Sequence, residues 1–139
     1  MSFTKTLIFI PTFNEAGNIK SLIETILHLP LNLEILVVDD RSPDGTGELV
    51  AKIAQKDNRV NLISRKPPRG RGLAGRDGFA WFQSHRQCQF LVEMDADFSH
   101  NPKYIPDLIN ALGNSDVAIG SRYVSGGGEV GRHPSRVWT

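Results

Sequence analysis

The feature that most constrains the fold is a series of short apolar runs with little polar alternation. Strands that are buried on both faces of a parallel sheet have this pattern. The runs are Leu7–Ile10, Leu33–Val38, Val60–Ile63, Phe90–Met94 and Val117–Ile119. None of them approaches the ~20 apolar residues of a membrane span. We therefore interpret each run as a buried strand.

Segments with helical spacing separate these runs. The clearest has apolar residues at positions i, i+3, i+4, i+7 and i+8, namely Ile19, Leu22, Ile23, Ile26 and Leu27. Strand and helix therefore alternate about five times, and crossovers of this length favour parallel strands with right-handed connections. We predict an α/β fold with an open, doubly wound, mostly parallel sheet. The length of 139 residues suggests one domain over residues 1–139.

Charge and cysteine content give no indication of a nucleic-acid-binding or disulfide-bonded protein. The formal net charge is +1, so no global field calls for nucleic acid as a partner. The single cysteine, Cys88, cannot form an internal disulfide, which fits a reducing compartment. The N-terminal segment lacks the apolar length and cleavage site of a signal peptide. We therefore expect a cytoplasmic protein.

Polar residues follow every predicted strand, at the edge where open α/β sheets bind their ligands. The five segments are Pro11–Glu15, Asp39–Gly45, Arg65–Gly72, Asp95–His100 and Ser121–Tyr123. Charges placed by chance would be scattered over both edges of the sheet. This concentration on one edge predicts a binding site there.

Asp95 and Asp97 are the sharpest part of this pattern. In extended backbone, residues i and i+2 point the same way, so both carboxylates can approach one hard cation. Mg²⁺ or Mn²⁺ is usually held by one or two carboxylates together with substrate phosphates. The alternative is that these aspartates cap the following turn and helix.

Two further strand ends carry charges suited to a nucleotide. Asp39 and Asp40 are adjacent carboxylates that repel each other unless a donor, such as a ribose hydroxyl or a cation, lies between them. Turn formation at Asp44-Gly45 is the alternative explanation. Arg122 directly follows the last predicted strand, and a phosphate is a natural partner for its guanidinium.

The basic segment after the third strand allows a different interpretation. Gly70, Gly72 and Gly75 match the G-x-G-x-x-G spacing, and Asp95 lies 20 residues further on. That arrangement resembles a dinucleotide fingerprint and leaves a Rossmann-type NAD-binding oxidoreductase as an alternative. It is disfavoured because Pro67-Pro68 separates the glycines from the strand, whereas the fingerprint needs a tight strand-to-helix turn.

Five motifs in order carry a family resemblance: Pro11–Glu15, Asp39–Thr46, Arg71–Ala74, Met94–Pro102 and Gly120–Tyr123. Together they resemble family-2 glycosyltransferases of the GT-A fold, and most closely the polyprenol-phosphate (dolichol-phosphate) mannosyltransferases. The resemblance covers essentially the whole chain.

The resemblance implies a role for each matching residue. Those placed at the nucleotide are Pro11, Phe13, Glu15, Val38, Asp39 and Asp40. Those placed at the diphosphate are Asp95, Ala96, Asp97 and Arg122, and Asp95, Asp97 and Arg122 are also the implied catalytic residues. Asp95, Asp97 and Ser99 would hold Mg²⁺ or Mn²⁺. Phe13 departs from the tyrosine often found at its position and keeps the ring without the hydroxyl.

The implied reaction transfers a hexose to a polyprenyl or dolichyl phosphate with inversion at the anomeric carbon. The hexose expected from the resemblance is mannose, and the expected donor is GDP-mannose. The acceptor places such an enzyme at the cytoplasmic face of a membrane, and a homo-oligomer is left open. Family members continue past this length into a segment that serves the acceptor. We therefore expect residues 1–139 to hold the donor-binding part, and a nucleotide-sugar-binding module without turnover is the main alternative.

Overall fold

The computed structural model describes residues 4–128. Its strands are β1 (Lys5–Thr12), β2 (Leu33–Asp39), β3 (Val60–Ser64) and β4 (Cys88–Glu93). Its α-helices are α1 (Ile19–Leu27), α2 (Thr46–Ala54), α3 (Arg71–Ser84) and α4 (Ile105–Ala111), and short 3₁₀ turns cover Pro102–Tyr104 and Leu112–Asn114. The strands form one parallel sheet in the order β3-β2-β1-β4, which confirms the predicted architecture.

The strand order locates the crevice of the fold. The chain runs outward from β1 to β2 and β3, then returns through α3 to place β4 on the other side of β1. The order therefore reverses at β1. In open α/β sheets, ligands bind beyond the carboxyl ends of the strands at such a reversal. Here the crevice lies between the ends of β1 and β4.

The packing of the core explains why the sequences of β1 and β2 are continuous apolar runs. Leu7 and Phe9 on one side of β1 join Leu36 and Val38 of β2 in a buried cluster with Ala74 of α3. The predicted apolar stripe of α1 is confirmed, since its buried residues are Ile19, Leu22, Ile23 and Ile26. Burial of these two central strands on both faces fixes the register that carries the site residues beyond them.

Gly78 sets how closely α3 packs on the sheet. A Cβ built at this position would lie 2.6 Å from Cε2 of Phe9, whose side chain is fully buried. Nothing lies within 4 Å of a Cβ built at Gly75, one turn earlier on the same helix. Only a residue without a side chain allows this approach at Gly78.

We therefore expect Gly78→Ala to destabilise the fold, although alanine is the better helix former. Overpacking a buried site costs about 1–3 kcal/mol, against about 1 kcal/mol gained in helix propensity. Urea unfolding of Gly78→Ala and of the control Gly75→Ala measures the difference. The control should be stabilised, and equal stabilisation of both variants would contradict the packing argument.

The chain groups into two compact units by its internal contacts. The first unit ends at Pro106, and the second begins at Asp107. The sheet and α1–α3 belong to the first unit, and the single-domain organisation of residues 1–139 stays a prediction.

Within the described part of the second unit, residues 115–128 contain no strand, so the expected strand at Val117–Ile119 is wrong. Val117 and Ile119 are 72% and 82% exposed. A run of three apolar residues becomes a strand only when a neighbouring strand takes its hydrogen bonds, and this run has no such pairing.

The helices of residues 4–128 include none with the length and apolar character needed to cross a bilayer.

Candidate functional site

The segments that leave β1 and β2 are bonded to each other beyond the edge of the sheet. Three successive backbone N–H groups after β1 donate to side-chain oxygens after β2. The pairs, each 2.9 Å long, are Asn14 to Ser42 Oγ, Glu15 to Thr46 Oγ1 and Ala16 to Asp44 Oδ2. The Thr46 hydroxyl and the Ala16 N–H lower the pKa of Asp44. The polar residues after β2 thus fix the segment that carries Phe13 and Glu15.

Asp39 is the internal anchor of this arrangement. Its side chain is buried and accepts from Thr12 Oγ1 at 2.9 Å, from the Ser42 N–H at 2.9 Å and from Ser42 Oγ at 2.6 Å. All three bonds are internal to the fold. They show a structural role for Asp39, and its role as a nucleotide ligand stays a prediction.

Asp40 lies beside a buried arginine. One carboxylate oxygen pairs with Arg65, and the other accepts from the Gly70 N–H at 2.8 Å. The Arg65 guanidinium also donates through Nε to Asp77 of α3 at 2.8 Å, which lowers the pKa of Asp77 and raises that of Arg65. Arg65 is only 7% exposed. Charge-assisted bonds therefore hold Asp40 in place at the end of β2.

Three consecutive residues at the start of α3 reach three different strand ends. The Arg69 guanidinium lies 4.9 Å from the centre of the Phe13 ring, after β1, and its Nε donates to the Asp40 carbonyl at 2.9 Å. Gly70 contacts the Asp40 carboxylate after β2, and Arg71 pairs with Asp95 after β4. This convergence brings the predicted site residues of β1, β2 and β4 to one edge.

Asp95 is paired with Arg71, an exposed arginine at the start of α3. Arg71 Nη1 bonds to Asp95 Oδ1, and its Nη2 lies 3.5 Å from Glu93 Oε1. These carboxylates, Asp95 foremost, raise the pKa of the Arg71 guanidinium. On the other side, the Asp95 N–H donates to His100 Nδ1 at 3.1 Å, and His100 Nε2 lies 3.9 Å from Asp95 Oδ2. The sequence alone predicts a solvated loop histidine at His100, so these contacts with Asp95 do not follow from it.

Asp97 has a different environment, because no cation pairs with it in the described structure. Hydrogen bonds from Ser99, one of them from its N–H to Asp97 Oδ1 at 3.0 Å, lower the pKa of this exposed carboxyl. Asp97 is therefore anionic at neutral pH. Asp95, Asp97 and Ser99 offer only hard oxygen donors, the type that Mg²⁺ and Mn²⁺ prefer.

The described residues contain no cluster of three or more metal-ligating His, Cys, Asp or Glu side chains. A cation at Asp95 and Asp97 would thus need oxygen ligands from elsewhere. Mg²⁺ is commonly bound in this way, through one or two carboxylates with substrate phosphates and water. The donor set fits such a cation.

The remaining predicted residues differ in accessibility. Val38 and Ala96 are buried, so their side chains face the protein interior, whereas Phe13 is 46% exposed and Pro11 lies within β1 beside Val38. The Glu15 carboxylate accepts from Asn18 Nδ2 at 3.1 Å. Their nucleotide contacts stay predictions.

Arg122 belongs to the second unit of the chain, where its guanidinium lies 5.0 Å from the centre of the Tyr123 ring. The argument that placed it at the end of a strand does not hold, because residues 117–120 form none. Its role at the diphosphate stays a prediction that rests on the family resemblance.

Sequence reasoning missed the roles of Arg65, Arg69 and Arg71. The available signal was the density of basic residues after β3, which a solvated surface would explain equally well. The same contacts disfavour the dinucleotide interpretation. The connection from β3 to α3 spans residues 65–70, and the Gly70 N–H is bonded to Asp40.

The model of the protein family described as glycosyl transferase family 2 matches residues 7–139. This chain belongs to glycosyl transferase family 2. The family assignment, together with the four-stranded parallel sheet, agrees with the GT-A fold expected from the motifs.

Two curated proteins are similar to this chain. The polyprenol monophosphomannose synthase of Mycolicibacterium smegmatis is 45% identical over 125 residues, which are 88% of this chain and 47% of that protein. The undecaprenyl-phosphate mannosyltransferase of Micrococcus luteus is 39% identical over 132 residues, which are 95% of this chain and 54% of that protein. This chain thus spans about half the length of these relatives.

A solved structure supports the fold. The chain is similar to a mannosyltransferase from Pyrobaculum calidifontis in complex with GDP-Man and Mn²⁺, with a TM-score of 0.60 and 24% identity. The match covers 79% of this chain and 32% of the other. At this level of identity, the similarity supports the fold of this chain and nothing more specific.

Proposed function

We propose that this chain binds the donor in a glycosyltransferase reaction that moves mannose from GDP-mannose to a polyprenyl phosphate. The observation that carries the proposal is the position of Asp95 and Asp97. They follow β4 directly beside the end of β1, at the reversal of strand order. The acceptor class follows from the two relatives, which are named for a polyprenol and for undecaprenyl phosphate.

The nucleotide end of the donor fits the side of the site formed by β1 and β2. Phe13 offers an exposed ring next to the Arg69 guanidinium, and Asp40 is a fixed carboxylate that can accept from ribose or base. Arg65 and the Gly70 N–H hold that carboxylate at one orientation, so it need not be ordered when ligand binds. GDP is chosen over other nucleotides because the relatives are mannosyltransferases and the Pyrobaculum protein was solved with GDP-Man.

The diphosphate end fits the side formed by β4. Asp95, Asp97 and Ser99 would hold Mg²⁺ or Mn²⁺, and the Pyrobaculum structure contains Mn²⁺. When bound, the cation would neutralise charge on the leaving diphosphate. Arg122 is proposed to add a second positive charge to the same group.

The reaction itself needs positioning more than proton transfer. An oxygen of the acceptor phosphate forms a bond to the anomeric carbon, and the bond from that carbon to the donor diphosphate breaks with inversion. Since the phosphate oxygen is already ionised near neutral pH, no strong general base is required. The residues of this chain orient the donor for in-line attack and stabilise the leaving group. The acceptor places the reaction at a membrane surface on the cytoplasmic side.

Calorimetric titration with GDP and with UDP, each with and without Mn²⁺, tests the donor site. We expect GDP to bind more tightly than UDP, and Mn²⁺ to strengthen GDP binding. Tighter binding of UDP would contradict the donor assignment, and GDP binding indifferent to Mn²⁺ would contradict the metal assignment.

A transfer assay with radiolabelled GDP-mannose and a polyprenyl phosphate tests the reaction. Mannosyl lipid formed in proportion to protein would support it. GDP binding without transfer would instead favour a donor-binding module without turnover.

A further inference from the structure

The pairing of Arg71 with Asp95 bears on how the proposed metal site is filled. Asp95 is one of two carboxylates assigned to the cation, yet a guanidinium already bonds to its Oδ1. The second nitrogen of the same guanidinium lies 3.5 Å from Glu93 Oε1. Arg71 therefore occupies, with one positive charge, a place that a divalent cation would need.

We propose that Arg71 has two alternative partners: it neutralises Asp95 when no metal is bound, and it binds the donor diphosphate once a divalent cation takes Asp95. This inference rests on the proposed function. It gives Arg71, which belongs to one of the sequence motifs, a diphosphate-binding role that neither the family resemblance nor the relatives' names assign.

The electrostatics of the site support an exchange of partners. A guanidinium and a divalent cation on the same carboxylate would repel each other across a few ångströms. A nucleoside diphosphate brings negative charge to the same place, and the planar guanidinium is well suited to bind phosphate oxygens in a bidentate manner. Displacement by the metal and capture by the diphosphate thus reinforce each other.

The exposure of the Arg71 side chain makes the exchange feasible. Arg71 is the first residue of α3, and its side chain is 59% exposed. It can rotate without disturbing the core, since its partners are both polar and at the edge of the sheet. By contrast, Arg65 is buried between two carboxylates and has no such freedom.

The test compares Arg71→Gln with the wild-type chain in two binding measurements. Without nucleotide, titration of Mn²⁺ followed by electron paramagnetic resonance should show about two- to fivefold tighter binding to the variant, because an exposed competing ion pair is lost. At saturating Mn²⁺, GDP should bind roughly tenfold more weakly, because a charge-assisted contact to the diphosphate is lost. Opposite signs in the two measurements distinguish an exchange from a general disturbance of the site.

Two further variants complete the design. Arg76→Gln removes the same charge from the same helix, but its guanidinium contacts Asp77 at 3.4 Å and not Asp95. It should change neither measurement by more than about twofold. Arg71→Lys keeps the charge without the bidentate geometry and should retain wild-type Mn²⁺ affinity while losing part of the GDP affinity.

The outcomes separate this inference from the proposed function. If the wild-type chain binds Mn²⁺ and GDP together but Arg71→Gln leaves both affinities unchanged, or weakens both, the exchange is wrong and the donor site stands. If the wild-type chain binds GDP without dependence on Mn²⁺, the metal assignment and the exchange are both wrong, while the nucleotide side of the site stands. If it binds no GDP at all, the proposed donor site is wrong as well.

Discussion

Replacing Asp97 with alanine is expected to remove Mn²⁺-dependent binding of GDP while the chain remains folded. Loss of residues that only support a metal ligand already costs about 10–100-fold in affinity, so loss of the ligand itself should cost at least about 100-fold. Asp97 is exposed at the edge of the sheet, and its described hydrogen bond is local, to the Ser99 N–H. Titration calorimetry with GDP, with and without Mn²⁺, measures the effect, and circular dichroism checks the fold.

Glu24→Ala is the matched control for the loss of one negative charge. Glu24 is an exposed residue near the C-terminal end of α1, where it pairs only loosely with Lys20 at 3.9 Å. The control should bind GDP and Mn²⁺ as the wild-type chain does. If Asp97→Ala keeps the full Mn²⁺ dependence, the cation is held elsewhere.

Arg65→Ala should cause the largest loss of stability. Removing one member of a buried ion pair costs about 3–5 kcal/mol, because it leaves an uncompensated buried charge. Here the substitution would leave Asp40 with the Gly70 N–H alone and would free Asp77 from its 2.8 Å bond. The measurement is the free energy of unfolding in urea.

Arg59→Ala supplies the contrast. Arg59 forms two side-chain bonds as well, both of them to Asp57, at 3.0 and 2.7 Å, but its side chain is 45% exposed. An exposed pair of this kind contributes about 0.2–1 kcal/mol. A cost below 1 kcal/mol for Arg65→Ala, similar to that of Arg59→Ala, would show that burial of the Arg65 pair has little energetic consequence.

The sheet could be predicted because its signal is local. β1 and β2 are apolar on both faces, and the spacing of Ile19, Leu22 and Ile23 defines the helix between them. The order of the strands does not follow from such patterns, because it depends on which way each crossover turns. The segment at 117–119 shows the limit, since three apolar residues do not by themselves supply a pairing partner.

The candidate site was predictable in part for the same reason. Asp95 and Asp97 stand two residues apart directly after a strand, so their common edge follows from local geometry. The contacts of Arg65 with Asp40 and of Arg71 with Asp95 join residues 25 and 24 positions apart. They arise because residues 65–70 fold back over the edge of the sheet, which no periodicity reveals.

The bonds from Asn14, Glu15 and Ala16 to the segment after β2 have a consequence for anion recognition. Successive main-chain N–H groups next to a left-handed residue, such as Asn14 at φ 59°, form the concave cradle in which many proteins enclose phosphate. In this chain those three donors are already consumed by Ser42, Thr46 and Asp44. A diphosphate at this edge could not use these three peptide dipoles and would depend more on cations for its neutralisation. Its affinity should therefore fall steeply with ionic strength and follow the supply of divalent metal in the cell.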